Sequence, residues 1–174
     1  ALTYLNCQSN LLTSLDVSQN TALTYLNCGG NQLTSLDVSQ NTALTELWCY
    51  SNQLTSLNLS GATPLTYLNC VGNQLTSLDI STNTSLTYLN TTGNFQLTSL
   101  DVSGATALTE LRCQSTQVGS LDVSNNTALT VLTCGGNWWG NQLTSLDVSG
   151  ATALTYLNCT ENNLASLDVS NNLA

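Results

Sequence analysis

A repeat of about 21 residues constrains this chain more than any other feature. The repeating unit reads Leu-Thr-Tyr-Leu-Asn-Cys-x-x-Asn-x-Leu-Thr-Ser-Leu-Asp-Val-Ser-x-Asn-Thr-Ala. Eight units begin at Leu2, Leu23, Leu44, Leu65, Leu86, Leu108, Leu129 and Leu154. One unit is a residue longer near Phe95, and another is four residues longer around Trp138 and Trp139. A fixed period of this length is typical of a solenoid, so we predict a single domain over residues 1–174.

Each unit contains the same pattern twice. In Tyr25-Leu26-Asn27-Cys28 the apolar residues alternate with polar ones, as expected for a short strand with one buried face. The second half of the unit again reads Leu-x-x-Leu-x-apolar-x-x-Asn. We therefore predict a β-solenoid of eight coils, with parallel β stacks on two faces, tight corners and essentially no α-helix.

Cysteine and asparagine recur at fixed places in the unit. The seven cysteines all hold its sixth place: Cys7, Cys28, Cys49, Cys70, Cys113, Cys134 and Cys159. Residues at the same phase stack above one another, so we expect an inward ladder of free thiols that packs like small apolar groups. The asparagines expected to form a second buried ladder at the corner are Asn10, Asn31, Asn52, Asn73 and Asn162, with Thr116 as an interruption.

The charge balance excludes several classes of function. The chain has ten acidic residues and a single cation, Arg112, which gives a net charge of −9. Nucleic-acid binding requires a basic surface, so it is not expected. No apolar run is long enough to predict membrane insertion. With no histidine and no recognisable nucleophile–base pair, we predict neither an enzyme nor a bound cofactor or metal.

The segment from Leu23 to Leu33 reads Leu-x-x-Leu-x-Cys-x-x-Asn-x-Leu. It resembles the conserved segment of leucine-rich repeats, and its closest resemblance is to the internalin-like repeats of bacterial surface proteins, in the cysteine-bearing, internalin J-like subtype. This resemblance implies a coil with a parallel sheet on one face. It also implies a secreted or wall-attached protein that binds partners and does not make or break covalent bonds. A surface poor in lysine independently favours an extracellular or cell-surface location.

The first and last units look like internal ones, without a cap. Solenoids normally cover their terminal coils, because these coils otherwise expose core side chains and an unpaired strand. We therefore expect either a segment of a longer array or end-to-end stacking on copies of the same chain, which would build a filament. The predicted function is that of an extracellular structural or adhesive protein.

Exposed aromatic residues are the candidates for contact with a partner. One column of the first strand carries Tyr4, Tyr25, Tyr67, Tyr88 and Tyr156. Such columns stabilise stacked parallel strands, which is the favoured interpretation, but they also suit protein or carbohydrate partners. Specific recognition is expected where the repeat is broken. The candidate residues are Trp48, Tyr50, Phe95, Arg112, Trp138 and Trp139.

Two further columns leave alternatives open. The second strand carries an acidic column, in which close carboxylates should raise some pKa values or attract cations, although structural hydrogen bonding is favoured. The members of this column are Asp16, Asp37, Asn58, Asp79, Asp101, Asp122, Asp147 and Asp168. Flat threonine columns resemble ice-binding surfaces, but β-propensity and corner hydrogen bonds are the favoured explanation, and ice binding is kept as an alternative.

Overall fold

The computed structural model describes residues 1–135 and 141–174, and these residues form twelve short β-strands and no helix. Eight of the strands make one parallel sheet, which we call the first sheet. Its members are β1 (Tyr4–Asn6), β2 (Tyr25–Asn27), β4 (Glu46–Trp48), β6 (Tyr67–Asn69), β7 (Tyr88–Asn90), β8 (Glu110–Arg112), β10 (Val131–Thr133) and β12 (Tyr156–Asn158). Within the described ranges, no helix is able to cross a membrane.

The register of the first sheet follows the sequence repeat. Each coil adds one strand, and the pairing places Leu26 beside Leu47 and Leu47 beside Leu68. The insertion near Phe95 does not disturb this order, because Leu89 still pairs with Leu111 in the next coil. The predicted solenoid of eight repeating coils is thus confirmed, with its parallel sheet continuous from the first unit to the last.

The opposite face is less regular than the first sheet. In residues 1–135 and 141–174, four strands form there, in two separate pairs: β3 (Ser35–Asp37) with β5 (Ser56–Asn58), and β9 (Ser120–Asp122) with β11 (Ser145–Asp147). The predicted second stack is present as two pairs of strands, separated by coils that lack strand pairing among the described residues.

The core is a narrow strip between the two faces. Each strand of the first sheet points its middle leucine inward, and Leu26, Leu47 and Leu68 are completely buried. Leu36 and Leu121 do the same from the second face. Burying a leucine side chain stabilises a fold by about 1.5–3 kcal/mol. Because the core repeats coil by coil, this stabilisation is spread along the whole array.

The corner after each strand of the first sheet requires a left-handed backbone. The residue at this corner has a positive φ in seven coils, at Ser9, Gly30, Ser51, Gly72, Gly93, Ser115 and Glu161. Glycine adopts this conformation without the steric cost that a side chain brings. In four of these coils the residue is serine or glutamate, which disfavours a positive φ. The shape of the repeated coil therefore imposes the left-handed conformation against the intrinsic preference of these residues.

The predicted asparagine ladder closes the same corner. The Asn52 amide donates to the carbonyl oxygens of Cys28 (3.1 Å) and Cys49 (3.2 Å), and its Oδ1 accepts from the backbone N–H of Leu33 (3.0 Å). Asn94 and Asn141 occupy equivalent places in the two coils with insertions. Thr116 interrupts the ladder as predicted, and its hydroxyl bonds to Asn141 instead.

Candidate functional site

Aromatic rings stack along the outer surface of the first sheet. Tyr4 and Tyr25 lie with ring centroids 4.4 Å apart, and Tyr67 and Tyr88 lie 4.3 Å apart and nearly parallel. Between these pairs the register places Glu46, so the tyrosine column lacks a ring in the third coil. The Trp48 ring takes the place of the missing tyrosine ring and stacks on Tyr67, with ring centroids 4.4 Å apart. It does so although Trp48 stands two residues after Glu46 on the strand.

The displacement of Trp48 opens a groove in the neighbouring column. By register Trp48 belongs between Asn27 and Asn69, but its ring leans towards the tyrosine column. The resulting groove has a volume of about 360 Å³. Its lining, which we call the aromatic groove, consists of Gln8, Tyr25, Asn27, Trp48, Tyr50, Asn69 and Val71. The walls are mainly aromatic, and amide groups supply its polar edges.

Tyr50 is held in place by a glycine and a glutamine. A methyl group on Gly29 would come within 2.4 Å of a Tyr50 ring carbon, so the ring lies directly over that glycine. The Tyr50 hydroxyl donates to Gln8 Oε1 at 2.9 Å, and the Asn27 amide donates to the same oxygen at 2.9 Å. These contacts fix one wall of the aromatic groove before any partner arrives.

Charge near the aromatic groove comes from Glu46. This exposed residue lies on β4 two positions before Trp48, and therefore on the same side of the strand. Burial is the main reason that the pKa of Tyr25 is raised, and the Glu46 carboxylate contributes to the same shift. Glu46 is the register partner of Tyr25 on the neighbouring strand, so its carboxylate lies next to a residue of the groove.

The other candidate contact residues lie apart from the aromatic groove. Arg112 occupies the same column as Trp48, three strands away, or about 14 Å at the usual strand spacing. Its guanidinium pairs with Glu110 on the same strand, which raises the pKa of Arg112. Phe95 is 53% exposed and does not line the groove. Trp138 and Trp139 lie outside the described residues.

Sequence reasoning identified Trp48 and Tyr50 but did not place them in one groove with Tyr25. The signal for this was present in the seventh place of the unit, where Gly29 precedes the bulky Tyr50 of the next coil. A glycine directly below an aromatic residue in a stacked array marks a ring that lies flat on the preceding coil. Asn69, by contrast, is one of several asparagines in its column, and Gln8 holds a place whose residue varies from coil to coil, so only the structure shows that they line the groove.

The acidic column of the second face has a structural role. In every coil the Asp or Asn Oδ1 accepts a hydrogen bond from the backbone N–H of the serine two residues later, for example from Ser81 to Asp79 at 3.0 Å. Bonds from the hydroxyl and the backbone N–H of the same serine lower the pKa of six aspartates. The hydroxyl is the larger cause for Asp79, Asp101 and Asp147, and the backbone N–H for Asp16, Asp37 and Asp168. The expectation that mutual repulsion raises some of these pKa values is therefore wrong, because hydrogen bonds to the charged form outweigh it.

The threonine column at the start of each unit is also engaged internally. The Thr24 hydroxyl donates to the Thr3 carbonyl oxygen at 3.0 Å, and Thr45 bonds to Thr24 in the same way. The pattern continues through Thr66, Thr87, Thr109, Thr130 and Thr155. Because each hydroxyl hydrogen is used between coils, the column supports the corner hydrogen-bonding interpretation more than the ice-binding one.

The seven cysteines are free thiols, as predicted from their spacing. Five are buried, and burial raises the pKa of Cys28, Cys70 and Cys134 to about 12. Only a thiolate is a good nucleophile or metal ligand, so these thiols are unreactive at neutral pH. The column therefore acts as packing inside the coil.

Comparison with known proteins agrees with this architecture. The family model described as leucine rich repeats (two copies) matches residues 21–61. The structure of the functional domain of InlJ from Listeria monocytogenes, described as including a cysteine ladder, is 47% identical and superposes with a TM-score of 0.92. The match covers 98% of this chain and 37% of that one. No curated protein matches the sequence of the chain.

Two further structures share the fold. A leucine-rich-repeat protein of Leptospira interrogans is 28% identical over 97% of this chain and 45% of its own, with a TM-score of 0.85. The internalin InlF from Listeria monocytogenes is 24% identical over 99% of this chain and 46% of its own, with a TM-score of 0.67, which shows the fold alone. The chain thus spans less than half the length of each of these proteins. Its repeats, its free cysteine column and its similarity to InlJ together make it a leucine-rich-repeat protein that closely resembles the cysteine-ladder domain of InlJ.

Proposed function

We propose that the chain is an adhesive, extracellular segment of a bacterial surface protein, and that it binds a protein partner through its first sheet. The similarity to InlJ supports the surface location. The observation that carries the binding role is the aromatic groove. Tyr and Trp side chains are enriched at protein interfaces, where large rings offer contact area at a low cost in conformational entropy. No catalytic role is assigned, in keeping with the repeat family that the chain resembles.

Bead adhesion tests this proposal. Beads coated with the chain are expected to remain attached to cultured epithelial cells under flow. Attachment should fall when Trp48 and Tyr50 are both replaced by alanine. It should persist in the control Tyr156→Ala, which removes a tyrosine of the same sheet that is 51% exposed and does not line the groove. Retention no better than that of uncoated beads, or equal loss in both variants, would contradict the proposal.

Enzymatic treatment of the cells identifies the class of partner. If the partner is a protein, brief trypsin treatment of the cells should abolish attachment, whereas removal of surface glycans should leave it unchanged. Sensitivity to the glycosidases alone would favour the carbohydrate-binding alternative instead. Faceted ice crystals or thermal hysteresis in a solution of the chain would favour the ice-binding one.

The same proposal includes an arrangement in a longer array or end to end. Core positions are exposed in the outermost coils: Leu2 is 44% and Val169 48% exposed, whereas their equivalents Leu23 and Val38 in inner coils are fully buried. A further coil stacked on either side would cover such side chains. Electron microscopy and sedimentation velocity distinguish the cases. Filaments support stacking between copies, and a monomer at all concentrations supports a segment of a longer array.

A further inference from the structure

The aromatic groove has the features of a site for a positively charged side chain. Its walls present the rings of Tyr25, Trp48 and Tyr50, and Trp provides the strongest cation–π attraction among the aromatic residues. The Trp48 ring has left its own register position between Asn27 and Asn69, so space is available beside the ring and not only above it. The side chains of these two asparagines line the same space. Their Oδ1 atoms accept the backbone N–H groups of Gly29 (3.1 Å) and Val71 (3.2 Å), which leaves one further lone pair on each oxygen.

The charge distribution favours a cation over other occupants. Glu46 is exposed on the same side of β4 as Trp48, and it is paired in register with Tyr25, which lines the groove. The chain has a net charge of −9, and its single arginine, Arg112, is already paired with Glu110. An anionic group entering the groove would therefore meet repulsion. A purely apolar group would cover the remaining lone pairs of the Asn27 and Asn69 oxygens without replacing their bonds to water.

Building on the proposed protein-binding function, we propose that the aromatic groove binds an arginine or lysine side chain from a basic segment of the partner. Its aliphatic stem packs on the rings of Trp48 and Tyr50, and its charged end is balanced by Glu46. The net charge of −9 attracts such a segment to the chain, so association should be faster at low ionic strength.

The test uses a short fluorescent peptide of alternating arginine and glycine, with a peptide of alternating glutamate and glycine for comparison. Binding is followed by fluorescence polarisation at low and at physiological ionic strength. Saturable binding of the arginine peptide and none of the glutamate peptide is expected. Trp48→Leu keeps an apolar side chain but removes the ring, and we expect it to weaken binding about tenfold.

Two paired variants separate a specific site from general attraction to an acidic protein. Glu46→Gln and Asp122→Asn remove the same charge, but Asp122 lies on β9 of the opposite face, where Asn58 shows that an amide makes the same hydrogen bond. Glu46→Gln should weaken binding about threefold or more, and Asp122→Asn less than twofold. Equal losses in the two variants would overturn the proposal, as would the absence of saturable binding.

Gly29→Ala provides a test that leaves every aromatic residue in the sequence. The added methyl group would meet the Tyr50 ring at 2.4 Å and displace it from the groove wall. Weaker peptide binding with an unchanged circular dichroism spectrum is expected, and unaltered affinity in a folded Gly29→Ala variant would contradict a role for Tyr50. Bead adhesion that depends on the groove without any peptide binding would overturn the choice of a basic side chain while leaving the proposed adhesive function intact.

Discussion

At the scale of single residues, the buried asparagine amides and the left-handed corner residues stabilise the shape of each coil. Asn31, Asn52 and Asn73 each bond to two successive coils, so they join neighbours that would otherwise meet only through short strands. A buried polar group without its partner costs about 1–3 kcal/mol, because it has lost its bonds to water. The ladder is therefore stabilising mainly because its loss would leave several backbone groups unpaired.

Replacing one ladder residue tests this view. Asn52→Ala removes donors to the carbonyls of Cys28 and Cys49 and the acceptor for the Leu33 N–H, all buried. We expect a loss of about 2–4 kcal/mol in the free energy of unfolding, measured by urea denaturation. Asn10→Ala is the control, since Asn10 makes its bonds in an exposed coil where water replaces them. Similar losses in both variants would contradict the argument.

At the scale of the elements, each coil has two corners, and the corner after the second strand is held against the preceding coil in two different ways. Beyond the second strand, Asn41 donates to the carbonyl oxygens of Val17 (3.0 Å) and Asn20 (2.9 Å) in the preceding coil. In the next coil the pair Gly61-Ala62 takes this place, and its backbone approaches Ser39 so closely that a Cβ on Gly61 would lie 1.7 Å from a carbonyl oxygen. An amide bridge and a close backbone contact therefore alternate along the array.

The left-handed backbone at the corner after each strand of the first sheet leads to a prediction about glycine. Gly72 has φ +64°, and a Cβ there would find its nearest neighbour 3.8 Å away, so only the backbone conformation opposes a side chain. Gly72→Ala should lower the unfolding free energy by about 1–2 kcal/mol. Gly119→Ala, where the Cβ would enter open space, should be neutral or slightly stabilising. Thermal unfolding of the two variants side by side measures the difference, and an equal effect would show that the positive φ is not the cause.

At the scale of the whole molecule, acidic side chains govern the response to pH. The pKa values of six aspartates are lowered in the folded state, below an unfolded value of about 3.9. Below that value the unfolded chain binds protons more readily than the folded one does. The stabilisation is therefore complete above about pH 4 and decreases as the pH falls through the folded pKa values.

Melting temperatures measured across the acid range test this effect. We expect the melting temperature to be nearly constant above about pH 4.5 and to fall below about pH 4. Asp79→Asn should reduce the size of the fall, because an asparagine accepts the same hydrogen bond without titrating, as Asn58 does from Ser60 at 3.2 Å. A melting temperature that rises on acidification would show that relief of the net charge of −9 outweighs the lost hydrogen bonds.

Much of the fold could be predicted from the sequence, because every coil repeats the same residue pattern and packs against the same kinds of neighbours. The inward position of Leu26, the free thiol of Cys28 and the corner bonds of Asn31 all follow from one unit, since every coil has the same neighbours above and below. The same reasoning fails where neighbours differ. Asp79 was expected to sense other carboxylates, but its bonds to Ser81 dominate. The aromatic groove exists because the Trp48 ring fills the gap that Glu46 leaves in the tyrosine column. The repeat pattern does not specify which ring fills that gap.

The sequence by itself determined the coil length, the register of the first sheet, the buried columns and the corner ladder, because a strict period leaves only one way to superpose successive units. The tertiary structure alone decided that Trp48 stacks on Tyr67, that Tyr50 lies over Gly29, and that the second face forms strands only in pairs. The physical reason is that ring orientation and strand pairing depend on the space between coils. That space is set by the packing of side chains far apart in the sequence.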